Sequence, residues 1–264
     1  MRKIISFTSE FDGTTRQAIL TAPDDAGQKP LPLVIVPHAA GWTGEATAGY
    51  WRDVPIKYGV MAVFPFGHGK KLDLRSMGWR GQMMDLVMLP MILPNLGYPV
   101  DASRVYAAGI SMGGQESLLL SGRHPGLLAG VISFNAVMDL STWFYDNETA
   151  AESMMEEIGG TPEELPREYA ERSPITYADT IALTPTLLYW DPNDDVVQFQ
   201  EKKQSGLLYR MVKKISPDVP ILTRRHNRGH TYISPRLALD WLLQWERGAS
   251  GVTIWREQKL DQEA

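Results

Sequence analysis

The stretch Arg104-Val-Tyr-Ala-Ala-Gly109-Ile-Ser111-Met-Gly113-Gly114 constrains this chain more than any other. The apolar run Val105–Ala108 reads as a buried strand, and Gln115–Leu120 reads as the opening of a helix. Between them lies Gly-x-Ser-x-Gly-Gly, a strand–turn–helix with a serine at its apex. A turn this sharp presses the backbone against the neighbouring strand and helix, where a Cβ would clash, so the glycines have a steric reason to be there. Ser111 is then expected in a strained conformation with its hydroxyl exposed, next to a helix N-terminus that favours negative charge. A phosphate loop is excluded because no Gly-Lys-Ser/Thr follows. A dinucleotide fingerprint is excluded because Ser111 takes its second glycine position.

The rest of the chain supplies a frame for that turn. Residues 3–8 and 14–21 alternate around Asp12-Gly13, a hairpin signal, and read as an antiparallel pair at a sheet edge. Leu33–Val36, Val60–Phe64, Leu127–Phe134, Thr186–Tyr189 and Val219–Thr223 are short apolar runs of the kind buried on both faces. Helical patterns separate them at 46–58, 80–93, 199–214 and 233–246, with Pro90 expected to kink or shorten the second. Between Asp139 and Asp179 the chain turns helical and acidic, and Thr161-Pro162-Glu163-Glu164 carries an N-cap, a first-turn proline and a capping-box glutamate. Strands alternating with helices predict an α/β fold, a mostly parallel sheet covered on both faces, with reactive groups at the carboxyl ends of its strands. The expected organisation is one domain over 1–264 with a small cap-like insertion at about 139–180; the tail beyond Gly248 has no assigned element.

With 264 residues and no cysteine, disulfides, Cys-ligated metals and a cysteine nucleophile are excluded. A net charge of −5 argues against a nucleic-acid partner, and the one basic run is Arg224-Arg225-His226-Asn227-Arg228. The N-terminus lacks a signal-peptide apolar core and no stretch reaches membrane-spanning length, so a cytoplasmic protein without membrane attachment is expected.

A serine hydroxyl needs a base, and the base an orienting acid, and on this kind of sheet the chain order is serine, acid, histidine. Three histidines follow Ser111. His124 ends the elbow helix before Pro125 and reads as surface, whereas His230 lies between the last strand and the last helix, where the base belongs, with His226 as the alternative. A metal role for His226 and His230 is disfavoured by Gly229 between them. The acid should follow Thr186–Trp190, and Asp191, Asp194 and Asp195 all qualify. One oxyanion donor is the N–H of Met112, and the other should come from Ala39, Ala40 or Gly41 after the strand at 33–36. His38 precedes the serine and reads as a loop-shaping hydrogen-bond donor.

From about Asp12 to Trp245 the chain resembles the α/β-hydrolase superfamily and, within it, the prolyl oligopeptidase-like branch. The residues that carry the resemblance are Val100-Asp101-Ala-Ser-Arg104-Val, Gly109-Ile-Ser111-Met-Gly113-Gly114, Tyr169-Ala-Glu-Arg-Ser173-Pro174-Ile, Leu187-Leu-Tyr-Trp-Asp-Pro-Asn-Asp194-Asp-Val-Val197 and Arg228-Gly229-His230. The resemblance implies Ser111 as nucleophile, Asp194 as acid and His230 as base, with no cofactor and no metal. The chain departs from the family pattern at His38-Ala39-Ala40, where His-Gly-Gly is usual and Ala40 is the favoured donor, and at Asp191, where glycine usually opens the acid loop. The expected activity is hydrolysis of a small-molecule carboxylic ester through an acyl-enzyme. A small oligopeptidase or a dienelactone-type hydrolase is the alternative, and a catalytically inactive ligand-binding protein is the alternative of another class. Only about 110 residues precede Ser111, which leaves no room there for a peptide-gripping domain and favours esters. Trp42, beside the oxyanion loop, and Trp143, in the cap, are candidate substrate contacts.

Overall fold

The computed structural model describes residues 1–248 and 253–255, the last three by backbone only. Eight strands form one sheet: β1 (Arg2–Thr8), β2 (Thr15–Thr21), β3 (Leu31–Ile35), β4 (Met61–Pro65), β5 (Val100–Ile110), β6 (Gly130–Phe134), β7 (Thr186–Trp190) and β8 (Ile221–Arg225). Their order is β1-β2-β4-β3-β5-β6-β7-β8. β1 and β2 pair antiparallel, β2 meets β4 antiparallel, and all later neighbours are parallel. This is the predicted α/β-hydrolase sheet, with the hairpin at its edge.

The parallel strands inside the sheet, such as β3, β4 and β6, are buried on both faces, so alternate residues of one strand enter different cores. Leu33 and Ile35 of β3 join Val105 and Ala107 of β5 on one side, while Val34 and Val36 join Tyr106, Ala108 and Ile110 on the other. Each buried Leu, Ile or Val stabilises the fold by about 1.5–3 kcal/mol.

The helices in chain order are α1 (Gly44–Trp51), α2 (Val54–Lys57), α3 (Arg80–Asn95), α4 (Met112–Arg123), α5 (Leu140–Asp146), α6 (Glu148–Ile158), α7 (Pro166–Glu171), α8 (Ala178–Ile181), α9 (Gln200–Lys203), α10 (Ser205–Ile215) and α11 (Pro235–Leu242). Residues of α3, α4, α8 and α10 build the first core, and residues of α1 and α11 build the second. Helices α5 to α8 all lie between β6 and β7, in the stretch predicted as a cap.

Several boundaries differ from the sequence expectation. The helix predicted over 46–58 is two, because Arg52 takes φ +47° and Pro55 cannot donate to the preceding turn, so it sits instead in the first turn of α2. The pattern at 199–214 also breaks, at Gln204. That side chain is buried and turns away to accept hydrogen bonds from the Met138 and Asp139 amides at 2.7 and 3.0 Å. α3 is not shortened at Pro90 but runs through Pro90 and Pro94, its buried Met83, Leu86, Leu89 and Leu93 holding it to the sheet. β8 lies two residues later than expected, because an edge strand with one exposed side admits Arg224 and Arg225.

The closing helix stops at Leu242. Beyond it the Tyr106 hydroxyl donates to the Trp245 carbonyl at 2.6 Å, and β9 (Trp245–Arg247) pairs antiparallel with β10 (Thr253–Trp255). The remainder of the tail, Val252 included, is outside the described residues. Among the described residues no helix is long and apolar enough to cross a membrane.

Candidate active site

β5 ends at Ile110 and α4 begins at Met112, so Ser111 alone makes the turn, with φ +55° and ψ −124°. That conformation is disfavoured for any residue with a Cβ and costs on the order of 1–3 kcal/mol. It persists because its surroundings leave no alternative. A Cβ on Gly109 would run into the Gly113 backbone, and one on Gly113 would run into the Pro37 carbonyl. The Ser111 N–H donates to the Phe134 carbonyl at 2.8 Å, which ties the turn to the end of β6. The strain expected of this serine is present, whereas the residue is buried, at 7% exposure, rather than open to solvent.

The ends of β7 and β8 bring the acid and base candidates side by side. Their register pairs Trp190 with Arg225, and the His226 N–H donates to the Trp190 carbonyl at 3.0 Å, so the loops beginning at Asp191 and His226 leave the sheet together. His230 Nδ1 lies 2.8 and 3.0 Å from the two carboxylate oxygens of Asp194. The Asp194 side chain has no solvent exposure and its Oδ1 also accepts the Val196 and Val197 amides at 2.9 and 2.8 Å. A carboxylate held at this many points orients the imidazole with Nδ1–H donating, which leaves the lone pair on Nε2.

The other candidates fall elsewhere. His226 accepts the Arg228 amide on Nδ1 at 3.2 Å and packs between the Tyr189 and Tyr232 rings, 3.7 Å from Asp191 rather than beside Asp194. Burial lowers its affinity for a proton, only partly opposed by the Asp191 and Asp194 carboxylates. His124 ends α4, about 18 Å of helix from Ser111. Asp195 is exposed and its side chain has no hydrogen bond among the described residues.

Asp191 does more than form a turn. It accepts Asn193 N–H at 2.9 Å, as a turn-forming aspartate does, and also Gly229 N–H at 2.7 Å, next to His230. Burial by itself would raise its carboxyl, but these amides, the Arg228 amide and the neighbouring His226 together outweigh burial and hold it below the usual carboxylate range. Its stabilising contribution is therefore present above the ordinary carboxylate pKa and fades as the pH falls through the lowered value.

The loop that follows β3 has spare donors. Gly41 N–H donates to Leu74 O at 2.7 Å and Trp42 N–H to Ala39 O at 3.0 Å. Among the described residues the amides of Ala39, Ala40 and Met112 have no acceptor, which for backbone donors calls for an explanation. Gly41 is thereby removed from the candidates, while Ala39 and Ala40 both stay open. His38 is fully buried and its Nδ1–H donates to the Ala39 carbonyl at 2.8 Å, the loop-shaping contact expected of it.

Above Met112 lies a third apolar cluster built from Met77, Val137, Leu140, Trp143, Met154, Tyr169 and Val197, with Ala40 packed against it. Trp143 is 8% exposed and its indole N–H donates to the Val196 carbonyl at 3.0 Å, so it locks α5 onto the Asp194 loop. Trp42 is half-buried and stacks on Tyr50 with ring centroids 4.7 Å apart.

Three buried polar residues are not among those expected from the sequence: Glu157, Glu116 and Asn135. Glu157 of α6 accepts the amides of Lys70, Lys71 and Leu72 at 2.7, 2.8 and 2.9 Å and lies 3.7 Å from the Arg172 guanidinium, which fastens the long 67–79 loop to α6. Glu116 of α4 accepts from Ser76 and Gly78 at the far end of that loop and from Gln82 of α3, and burial pushes its carboxyl up despite those bonds. Asn135, at the end of β6, touches both the acid and the base loop. Among the described residues no group of three or more His, Asp or Glu side chains is arranged to hold a metal ion.

The profile of the prolyl oligopeptidase family matches residues 82–245 of the chain. An uncharacterised peptidase of Bacillus subtilis, YtmA, is 28% identical over 149 residues, an alignment covering 55% of this chain and 56% of that protein, so the match spans about half the length of the curated relative. Among solved structures, S-formylglutathione hydrolase from Agrobacterium tumefaciens superposes with a TM-score of 0.69 at 18% identity, covering 92% of this chain and 91% of that one. A puromycin-hydrolysing peptidase of Mycobacterium tuberculosis gives 0.74 at 19% identity, covering 92% of this chain and 38% of its own. The acylaminoacyl peptidase of Pyrococcus horikoshii gives 0.70 at 17%, covering 88% and 38%. At these identities the likeness is one of fold, and the shared fold is that of the α/β-hydrolases.

Proposed function

The chain belongs to the prolyl oligopeptidase family of serine hydrolases, and from that premise we propose that it cleaves carboxylic esters through an acyl-enzyme formed on Ser111. The observation that carries this reading is the His230–Asp194 contact at 2.8 Å, taken together with a serine held at φ +55° at the carboxyl end of β5 in the same sheet. Ser111 Oγ attacks the acyl carbon while His230 Nε2 takes its proton, and Asp194 holds the imidazolium by its Nδ1–H. The amides of Met112 and Ala40, or Ala39 in its place, receive the oxyanion, and each such donor contributes about 2.7–4 kcal/mol to the transition state. His230 then returns the proton to the departing alkoxide, and water repeats the sequence in reverse to free the acid and Ser111.

Leaving-group chemistry favours esters over amides. An alkoxide or phenoxide departs from the tetrahedral intermediate with modest help, whereas an amine departs only after protonation and needs a tightly positioned acid and substrate. The test is kcat/KM for a p-nitrophenyl ester and a p-nitroanilide sharing one acyl group, alongside short peptides. The ester is expected to win by at least 100-fold. Equal or greater turnover of the anilide or of peptides would replace this reading with the oligopeptidase one.

The acyl chain is proposed to lie against the cluster above Met112, with Trp143 and its methionines as the wall and Trp42 at the edge of the oxyanion loop. Trp143→Ala is expected to lower stability by about 3–5 kcal/mol and to shift relative kcat/KM toward longer acyl esters. A lowered melting temperature with the acyl-length ratio unchanged would assign Trp143 to packing alone.

A further inference from the structure

We propose that Asn135 and Asp191 form a polar clamp that positions His230, acting on the base through its backbone rather than touching substrate. The clamp rests on the reading of His230 as the base. Asn135 is fully buried, and its Oδ1 accepts the Asp191 amide at 2.8 Å. Its Nδ2 donates to the carbonyls of His230 at 2.7 Å and Gly229 at 3.3 Å. Asp191, 3% exposed, closes the ring by accepting Gly229 N–H at 2.7 Å. The same β6 end reaches the nucleophile, because the Phe134 carbonyl accepts Ser111 N–H at 2.8 Å. Two adjacent residues, Phe134 and Asn135, therefore connect the turn carrying Ser111, the loop carrying Asp194 and the loop carrying His230.

The reason for a clamp lies in the base loop. Gly229 at φ +78° gives that loop a soft joint directly before the base, and its neighbours Asn227 and Arg228 are exposed. The Asp194 contact fixes the imidazole at one ring nitrogen only, which leaves rotation about that bond to be limited by the backbone. Asn135 sits at φ +46°, a conformation asparagine tolerates better than most residues. The prolyl oligopeptidase-like pattern opens the acid loop with glycine, which has no side chain to accept Gly229 N–H; Asp191 supplies that acceptor here.

The variants are Asn135→Gly, which deletes the amide without adding backbone strain, Asn135→Asp, which keeps the acceptor for Asp191 but loses the donor to His230, and Asp191→Ala. Each is measured for kcat, KM and melting temperature on a p-nitrophenyl ester, with the Asn135→Gly/Asp191→Ala double variant and His230→Gln alongside. Each single variant is expected to lose about 10- to 100-fold in kcat with KM within twofold, as an ångström-scale misplacement of a base does. The double variant should lose no more than about threefold beyond the worse single one, because both act on one loop. Unchanged kcat in folded Asn135→Asp and Asp191→Ala, or single losses that multiply in the double variant, would overturn the clamp while His230→Gln stays inactive. Turnover retained by His230→Gln would instead overturn the reading of the base, and the clamp with it.

Discussion

Replacing Ser111 with alanine is expected to lower kcat on a p-nitrophenyl ester by about 10⁴–10⁶-fold while leaving the fold intact. Alanine removes the hydroxyl and keeps the Cβ, so the φ +55° strain and the packing of Gly109 and Gly113 around the turn are unchanged. Circular dichroism and the melting temperature should match the parent. Ser111→Gly separates chemistry from strain. It should be equally inactive, yet more stable by about 1 kcal/mol, roughly 2–4 °C in melting temperature, because glycine reaches this conformation freely. A Ser111→Ala protein that keeps a tenth of its activity would move the nucleophile to another residue.

Asp194→Asn carries the next largest effect, a loss of about 10⁴ in kcat with little change in KM. The reason is positional. The amide oxygen of asparagine has to stay with the Val196 and Val197 amides that Asp194 now caps at 2.9 and 2.8 Å. The NH₂ then faces His230 Nδ1, and a donor there selects the tautomer with its proton on Nε2, where the base must be free. Asp195→Asn should stay within twofold of the parent, since its carboxylate is exposed. If Asp195→Asn or Asp191→Asn proves more damaging than Asp194→Asn, the acid has been assigned to the wrong carboxylate.

What was legible in the sequence follows from how far each signal extends along the chain. The inner strands are legible as continuous apolar runs, because a strand buried on both faces needs nothing but its own residues to show it, and the β1–β2 hairpin is legible as alternation around Asp12-Gly13. Ser111 was legible for the same reason, with strand, turn and helix all within one short stretch. His230 and the acid loop were located by chain order and strand ends. Three carboxylates within five residues could not be ranked from their neighbours alone, and the ranking came from the resemblance to a family. The structure supplies the physical ground for it: Asp194 faces His230, whereas Asp191 faces the backbone beside it.

The misses were long-range. Asn135 meets partners 56 and 95 residues away, and Glu157 accepts amides 85 to 87 residues away. Nothing near Glu157 in the sequence announces such contacts. Gln204 broke a helix by the same kind of contact, with amides 65 and 66 residues distant. One signal was available for Asn135, a polar residue directly after the buried run ending at Phe134, at the end of the sheet where reactive groups gather. Helix α6 and the 67–79 loop meet in the same way. Glu116 and Glu157 hold opposite ends of the 67–79 loop, so the wall beside Met112 depends on two buried carboxylates from different parts of the chain.

The central claim, that Ser111 is an activated nucleophile served by His230, is tested most directly by fluorophosphonate labelling followed by peptide mapping by mass spectrometry. One adduct per chain on the peptide containing Ser111 is predicted. Labelling should fall by at least 100-fold in His230→Gln, because the hydroxyl is then without its base. An adduct on another residue, or ester hydrolysis that persists with Ser111 unlabelled, would contradict it.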